Sequence, residues 1–405
     1  MPGKAVRLLT PVMIALLLGV AGCASGGPGS EDRPQVVKIG FVGPLTGPQR
    51  DFGLGARNAV QLAVRQANAR RAIPGWTIEL VAKDDLAEPV VGRLMAQELA
   101  ADPAVGGVIG PMNSGVAKET IPVLGGPGIV EISPSNTDPT LTLGPYPIDA
   151  PRRVWPNYFR VVVSSLGQGR FAADYAYDQL GFRSVATVHD KKAYGQSLVT
   201  VFERQWRNRG GRITSSNAIN PGDRVLTRLT GRLAAQRPDF VYYGGEYPEA
   251  APLLRQLKQH SFRGPLIGGD GVYSDEMIKG AGSAGEGSMA SSIGAPAEKL
   301  QSAEGFVKAY AKGGFGPQGF SAFGPQAYDS ANILVAALAR VLPGADGVAP
   351  ARRSIVQAVG ETRSFLGVTG EHAFDQYGDT NNTTMTMYRI HRGTWHDVYI
   401  GQAQR

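Results

Sequence analysis

The stretch VVKIGFVGPLTGPQRDFGLGARNAVQLAVRQA, residues 36–67, decides the fold. Residues 36–42 are an apolar run that ends at Gly43-Pro44. That is the pattern of a buried strand closed by a turn. Further on, Ala56, Ala59, Val60, Ala63, Val64 and Ala67 recur at i, i+3, i+4, i+7, i+8 and i+11. Those spacings place all six on one face of a helix. A strand, a loop and an amphipathic helix in that order form the repeating unit of a parallel sheet.

The unit recurs along the chain. Residues 76–82, 105–109 and 129–132 read as strands, and 91–101 and 118–124 as helices. The segment 137–156 carries prolines at 139, 145, 147, 151 and 156, so it reads as loop. After residues 159–163 the alternation restarts. Strands are expected at 185–188, 212–218, 240–243 and 266–267, with helices at 170–179, 197–207, 225–235 and 250–259. A glycine-rich stretch, 280–294, precedes helices at 298–311 and 327–342. Residues 384–390 and 394–400 read as a hairpin turned at Arg392-Gly393. Two doubly wound sheets are the natural architecture for about 380 residues with this pattern.

The start of the chain has a different character. Lys4 and Arg7 precede an uncharged apolar run, 11–20, and then Val20-Ala21-Gly22-Cys23. The run is short of the roughly 18–20 residues that cross a bilayer and has the marks of an export signal. The four residues ending at Cys23 resemble the bacterial lipobox, in which the cysteine becomes a lipidated N-terminus. An ordinary signal peptide with a stray cysteine is the plainer alternative. In the lipobox reading residues 24–34, rich in Gly, Ser and Pro, form a flexible tether. Cys23 is the only cysteine, so no internal disulfide exists.

The formal charge is +7, of which Lys4 and Arg7 supply two. The basic residues, 30 arginines among 41, are scattered and form no stripe with aromatic platforms. Nucleic-acid binding is therefore excluded from the expected functions. The chain has no Gly-x-Ser-x-Gly elbow, no Cys-x-x-Cys, no His-Glu-x-x-His and no phosphate loop. Its five histidines are dispersed, and no metal or cofactor is expected.

Doubly wound sheets bind ligands beyond the carboxyl ends of their strands. Five such ends carry polar residues: Ser114, Ser135-Asn136-Thr137, Tyr194, Glu246 and Asp270. Each has a bland reading by itself. Ser114 could cap a helix, Ser135 and Thr137 could make a turn, and Asp270 could make an Asx-turn. Their shared placement on the ligand-binding side gives them joint weight.

Several segments point to one family. They are Ile39-Gly40-Phe41-Val42-Gly43-Pro44-Leu45-Thr46-Gly47, Val188-His189-Asp190-Lys191-Lys192-Ala193-Tyr194-Gly195 and Asp239-Phe240-Val241-Tyr242-Tyr243-Gly244-Gly245. To these are added Gly269-Asp270-Gly271-Val272 and Gly367-Val368-Thr369-Gly370 with Phe374-Asp375. In this order and spacing the chain resembles the bacterial leucine/isoleucine/valine-binding proteins that feed ABC importers. The resemblance implies an α/β fold of the type I periplasmic-binding-protein kind. Two doubly wound parallel-sheet lobes are joined by three crossovers, with the ligand between them. The expected limits are 1–22 for the signal peptide, 23–35 for the lipidated tether, 36–164 with 293–382 for one lobe, and 165–292 with 383–405 for the other.

The resemblance also implies site roles. Ser114 matches a hydroxyl holding the ligand α-carboxylate. Ser135 matches a position whose backbone carbonyl faces the α-ammonium, and Thr137 a threonine touching both groups. Tyr194 matches a tyrosine that closes over the ligand, and Phe52 an aromatic wall of the side-chain pocket. Asp270 stands where a glutamate usually pairs the ammonium, one methylene shorter. Glu246 stands where a tyrosine is common. Either it points to solvent and Tyr247 supplies the lost ring, or the cleft holds a second carboxylate that favours a polar or basic ligand.

The expectation is an extracytoplasmic, membrane-anchored solute-binding lipoprotein, not an enzyme. It is expected to act as a monomer and to deliver an amino acid, branched-chain or related, to an ABC permease and its ATPase. The alternatives are a sensor of the same fold that binds an amino acid or amide, and a secreted hydrolase with an unrecognised site.

Overall fold

The computed structural model describes residues 35–404, which form one compact unit; Cys23 and the leader lie outside the described residues. In chain order the first sheet is built from β1 (Gln35–Gly43), β2 (Trp76–Asp84), β3 (Val105–Ile109), β4 (Val130–Ser133) and β5 (Tyr158–Arg160). Its strands lie in the order β2-β1-β3-β4-β5, all parallel. The helices of this half are α1 (Arg50–Ala69), α2 (Pro89–Ala101), α3 (Ser114–Gly125) and the single turn α4 (Thr140–Leu143).

The second sheet continues with β6 (Ser184–His189), β7 (Arg212–Ala218), β8 (Phe240–Gly244), β9 (Leu266–Gly268) and β10 (Met289–Ile293). Between them run α5 (Ser165–Asp174), α6 (Ala193–Asn208), α7 (Thr227–Gln236), α8 (Tyr247–Gln259) and α9 (Asp275–Ala281). The chain then returns to the first half through α10 (Glu304–Ala311), α11 (Gly324–Val341), α12 (Val348–Gly360) and a small hairpin, β11 (Phe365–Gly367) and β12 (Gly370–His372). It ends in the second sheet with β13 (Thr384–His391) and β14 (Thr394–Gln402). The second sheet has the order β14-β13-β10-β9-β8-β6-β7. Its last two strands run antiparallel to their neighbours, and the other strand pairs are parallel. The chain therefore passes between the sheets three times: after β5, after β10 and before β13.

The α1 periodicity has its physical counterpart. Ala56, Ala59, Val60, Ala63, Val64 and Ala67 are all buried, and they share one apolar cluster with Ala327, Ala331, Leu334 and Leu338 of α11. Small residues on this face let two helices and a sheet approach closely.

Some elements differ from the sequence expectation. β10 lies within the glycine-rich stretch; Ser291 and Ser292 break its apolar run yet are buried. Ser291 Oγ is satisfied by Gly268 O at 3.4 Å, which makes the polar residue compatible with a central strand. α9, α12 and the hairpin of β11 and β12 were not expected. One helical turn, α4, interrupts the proline-rich loop. Among the helices that begin earlier than their apolar periodicity suggests, three follow strand ends of the cleft: α3 at Ser114, α6 at Ala193 and α8 at Tyr247. Their first turns carry the polar residues of the strand ends, which masks the helical period.

Candidate functional site

In each sheet the chain order reverses around its first strand, so that β1 lies between β2 and β3, and β6 between β7 and β8. Such a switch point leaves a crevice at the carboxyl ends of the strands. The two crevices meet in one small cavity. Gln49 and Phe52 reach it from beyond β1, Met112, Asn113 and Ser114 from beyond β3, and Ser135 from beyond β4. Tyr194 reaches it from beyond β6, Glu246 from beyond β8, and Asp270 with Gly271 from beyond β9. Phe323, just before α11, completes the wall. The cavity measures about 20 Å³, against the roughly 10–15 Å³ that one water molecule requires.

Six of the seven expected binding residues line this cavity: Phe52, Ser114, Ser135, Tyr194, Glu246 and Asp270. Thr137 does not. Its Oγ1 pairs with Ser165 Oγ at 3.0 Å, which pairs with Ser197 Oγ at 3.1 Å, and Ser197 Oγ donates to Tyr194 O at 2.9 Å. Thr137 thus belongs to a hydroxyl chain that ties the loop after β4 to the helix bearing Tyr194.

The first lobe presents hydroxyls and amides. Ser114 is the first residue of α3, where backbone N–H groups have no intrahelical acceptor. Its Oγ accepts from Asp138 N at 3.3 Å, which leaves its own proton free to donate. Ser135 Oγ donates to Met112 O at 2.8 Å, and Ser133 Oγ holds the Ser135 and Asn136 amides at 3.2 and 2.9 Å.

The second lobe presents charge. Asp270 is 1% exposed, and its Oδ2 has no hydrogen-bond partner. Burial pushes its carboxyl up to about 6, partly offset by the Tyr194 hydroxyl and the Gln168 side chain beside it. Tyr194 Oη also accepts from Gly271 N at 3.2 Å. The first turn of α6 can approach the end of β8 because Gly195 and Gly244 face each other; a Cβ on either would strike the other's backbone. This contact brings Tyr194 and Glu246 to one cavity.

Glu246 faces the cleft, and Tyr247 supplies a ring as well. Glu246 is buried; its Oε2 lies 2.9 Å from Lys192 Nζ, and its Oε1 accepts from Asn113 Nδ2 at 3.1 Å. Burial alone would raise its carboxyl. Burial is the largest single effect, but the Lys192 charge and the hydrogen bonds of Asp190, Lys192 and Asn113 together overcome it and hold the group below the ordinary glutamate range. Asp190 behaves oppositely: burial and the neighbouring Glu246 charge push it up to about 9. Asp190 therefore keeps its proton at neutral pH while Glu246 is ionised and paired to Lys192. The second carboxylate of the cleft thus has a protein counter-ion and requires no cationic ligand.

Tyr247 packs edge-on against Phe52 with ring centroids 5.1 Å apart, and Phe323 also packs edge-on against Phe52 at 5.1 Å. Tyr247 Oη donates to Pro48 O at 2.5 Å, and Ser274 Oγ to Asp51 Oδ2 at 3.2 Å. With the bond from Asn113 to Glu246, these contacts span the two lobes. Sequence reasoning had not selected Gln49, Met112, Asn113, Lys192, Phe323 or Gln168. Asn113 could have been found as the neighbour of Ser114, and Lys192 as a cation beside a strand end. Pro248, in the first turn of α8, is the signal that places Glu246 at a helix cap.

The sequence profile of periplasmic binding proteins matches residues 36–394. The chain belongs to the periplasmic binding protein family. Among its curated relatives is the Leu/Ile/Val-binding protein homolog 2 of Brucella abortus (strain 2308), 31% identical over 379 residues, 94% of this chain and 96% of that protein. Among solved structures, the branched-chain amino acid transporter substrate binding protein LivJ of Streptococcus pneumoniae, in complex with isoleucine, superposes with a TM-score of 0.80. It is 24% identical, with 91% of this chain and all of that one covered. A solute binding protein of an ABC transporter from R. palustris, in complex with benzoate, reaches a TM-score of 0.77 at 20% identity, covering 91% of this chain and 97% of that one. Both solved structures share the fold of this periplasmic binding protein, the type I two-lobed arrangement with its cleft. Their ligands differ, so side chains rather than topology select the solute.

Proposed function

We propose that this periplasmic binding protein captures an amino acid between its lobes and delivers it to an ABC importer. It works by binding and closure, not by turnover. One observation carries the reading: hydroxyls and free helix-start amides of one lobe face, across one small cavity, a buried carboxylate of the other with one oxygen unpartnered. Hydroxyls and helix-start amides suit the α-carboxylate. Asp270 suits the α-ammonium, because a buried charge requires an opposite partner. Tyr194 covers the pair. In this reading the lobes comprise 36–164 with 293–382 and 165–292 with 383–405, and ligand binding favours their closure. The name of the Brucella abortus relative supports an amino acid as the solute. Mass spectrometry of the small molecule carried by the purified protein, followed by calorimetry with the twenty amino acids, tests it. A solute without an α-amino group, with no amino acid bound, is the result against it.

The reading has a pH signature. Asp270, pushed up to about 6, binds an ammonium only as the carboxylate. Affinity is expected to hold above about pH 6 and to fall below it by up to about tenfold per pH unit. Stability of the ligand-free protein runs the other way. The folded pKa of Asp270 exceeds its unfolded value of about 3.9. Its contribution is therefore fully present below that value and is lost as pH rises through about 6. Calorimetry and thermal unfolding over this interval check both signs; an affinity that stays flat through it contradicts the role of Asp270.

Among the described residues no helix is long and apolar enough to cross a membrane. In this proposal the membrane link is Cys23, lipidated and followed by a tether. Cys23→Ser is expected to move the protein from the membrane to the soluble fraction, as followed by fractionation and immunoblot. Unchanged membrane retention argues for another anchor.

A further inference from the structure

The amino-acid reading engages Ser114, Ser135, Tyr194 and Asp270. A second polar chain runs along the rest of the cavity wall, among Phe52, Met112 and Phe323. In it Asn113 Nδ2 donates to Gln49 Oε1 at 2.8 Å and to Glu246 Oε1 at 3.1 Å. The other Glu246 oxygen is held by Lys192. An ionised carboxylate only accepts hydrogen bonds, so the amide nitrogen of Asn113 must face Glu246. Chemistry thereby sets the orientation of the amide, and both of its hydrogens are used. Asn113 Oδ1 is left buried with no hydrogen-bond partner, on a residue that lines the cavity.

We propose that Asn113 is a specificity-determining residue whose side-chain carbonyl takes a hydrogen bond from the side chain of the bound amino acid. The cleft then prefers short side chains with a hydroxyl or amide donor over aliphatic ones of the same shape. This inference rests on the amino-acid reading above. An aliphatic side chain packed against Asn113 keeps Oδ1 out of water and returns nothing to it, which is unfavourable. A site that hydrogen-bonds its ligand rejects the isostere lacking that group far more strongly than an apolar site rejects a missing methylene. The pairing of Glu246 to Lys192 sharpens the argument. With its charge met inside the protein, the carboxylate serves to orient the Asn113 amide and makes no demand for a basic ligand.

The test compares threonine with valine, and asparagine with leucine, by calorimetry on the full-length protein. Each pair is nearly isosteric and differs in the donor. Threonine is expected to bind on the order of 10- to 100-fold tighter than valine, and asparagine to exceed leucine in the same sense. Asn113→Leu, which keeps the shape and removes the acceptor, is expected to abolish or reverse both preferences. Asn113→Ala gives the same comparison if that variant does not fold. Valine binding as tightly as threonine to the wild type overturns the proposal and leaves the amino-acid reading intact. A wild-type preference for threonine that persists in both variants overturns the role of Asn113. Failure of all twenty amino acids to bind removes the amino-acid reading and this proposal with it.

Discussion

Asp270→Ala is expected to weaken amino-acid binding by about 3–5 kcal/mol, the effect of removing one partner from a buried charge pair. The ligand ammonium would then meet no carboxylate in the second lobe. Ser114→Ala is expected to cost less, about 1.5–3 kcal/mol, because it removes one hydrogen bond to a charged group. Helix-start amides would still face the ligand carboxylate. The ligand-free stability of Asp270→Ala should not fall in parallel. Asp270 is buried with one oxygen unpaired, and its raised carboxyl is a strained feature of the free protein at neutral pH. Calorimetry with the tightest amino acid, beside thermal unfolding of the free proteins, separates the two effects. Near wild-type affinity in Asp270→Ala would reject the assignment.

Lys192→Met is expected to destabilise the protein by about 3 kcal/mol at neutral pH. That is the lower end for a broken buried pair, chosen because the Lys192 side chain is 25% exposed. The variant would leave Glu246 buried without a counter-ion, and the sign of its pH dependence should reverse. In the wild type the Glu246 pKa is depressed. Its stabilising contribution is present above the unfolded value of about 4.3 and lost as pH falls through the folded value. Without Lys192, burial raises the folded pKa, so stability is lost as pH rises through it. The difference between the two proteins should thus be large at pH 7.5 and shrink toward pH 4. Urea unfolding at both values measures it. A difference independent of pH would mean that the Lys192 stem acts only by packing.

Much of the fold was legible because it is written in local periodicity. The α1 face, the β-strand runs and the final hairpin need only neighbours within a few residues to be recognised. β10 was not legible, because its buried serines look like surface residues until the Gly268 carbonyl is placed beside Ser291. α12 was legible in principle. Val348, Ala351, Arg352, Ile355 and Val359 share its buried face, but the Arg352-Arg353 doublet reads as solvated. Arg352 instead bonds Val105 O at 3.1 Å and Asp102 O at 2.6 Å.

The site divides in the same way. That polar residues sit at strand ends follows from sequence, since strand limits and turn residues are local properties. The partners of those residues do not. Thr137 was expected at the ligand, but its hydroxyl meets Ser165. Glu246 could be a solvated residue or a cleft carboxylate on sequence grounds, and Tyr247 a substitute ring. Both side chains turn inward, because α8 begins at Tyr247 directly beyond β8.

By itself the sequence determined the alternation of strand and helix, the two doubly wound sheets and the strand ends that carry polar groups. Hydrophobic periodicity and turn chemistry act over a few residues, and that range suffices for them. Only the tertiary structure decided which groups are charged and which are paired. Asn113 and Glu246 are separated by 133 positions, and Lys192 and Glu246 by 54. A carboxyl pKa depends on burial and on charges a few ångströms away through space, so the ionised state of Glu246 and the proton on Asp190 exist only once the second lobe has folded, and the contact of Asn113 with Glu246 only once the lobes meet.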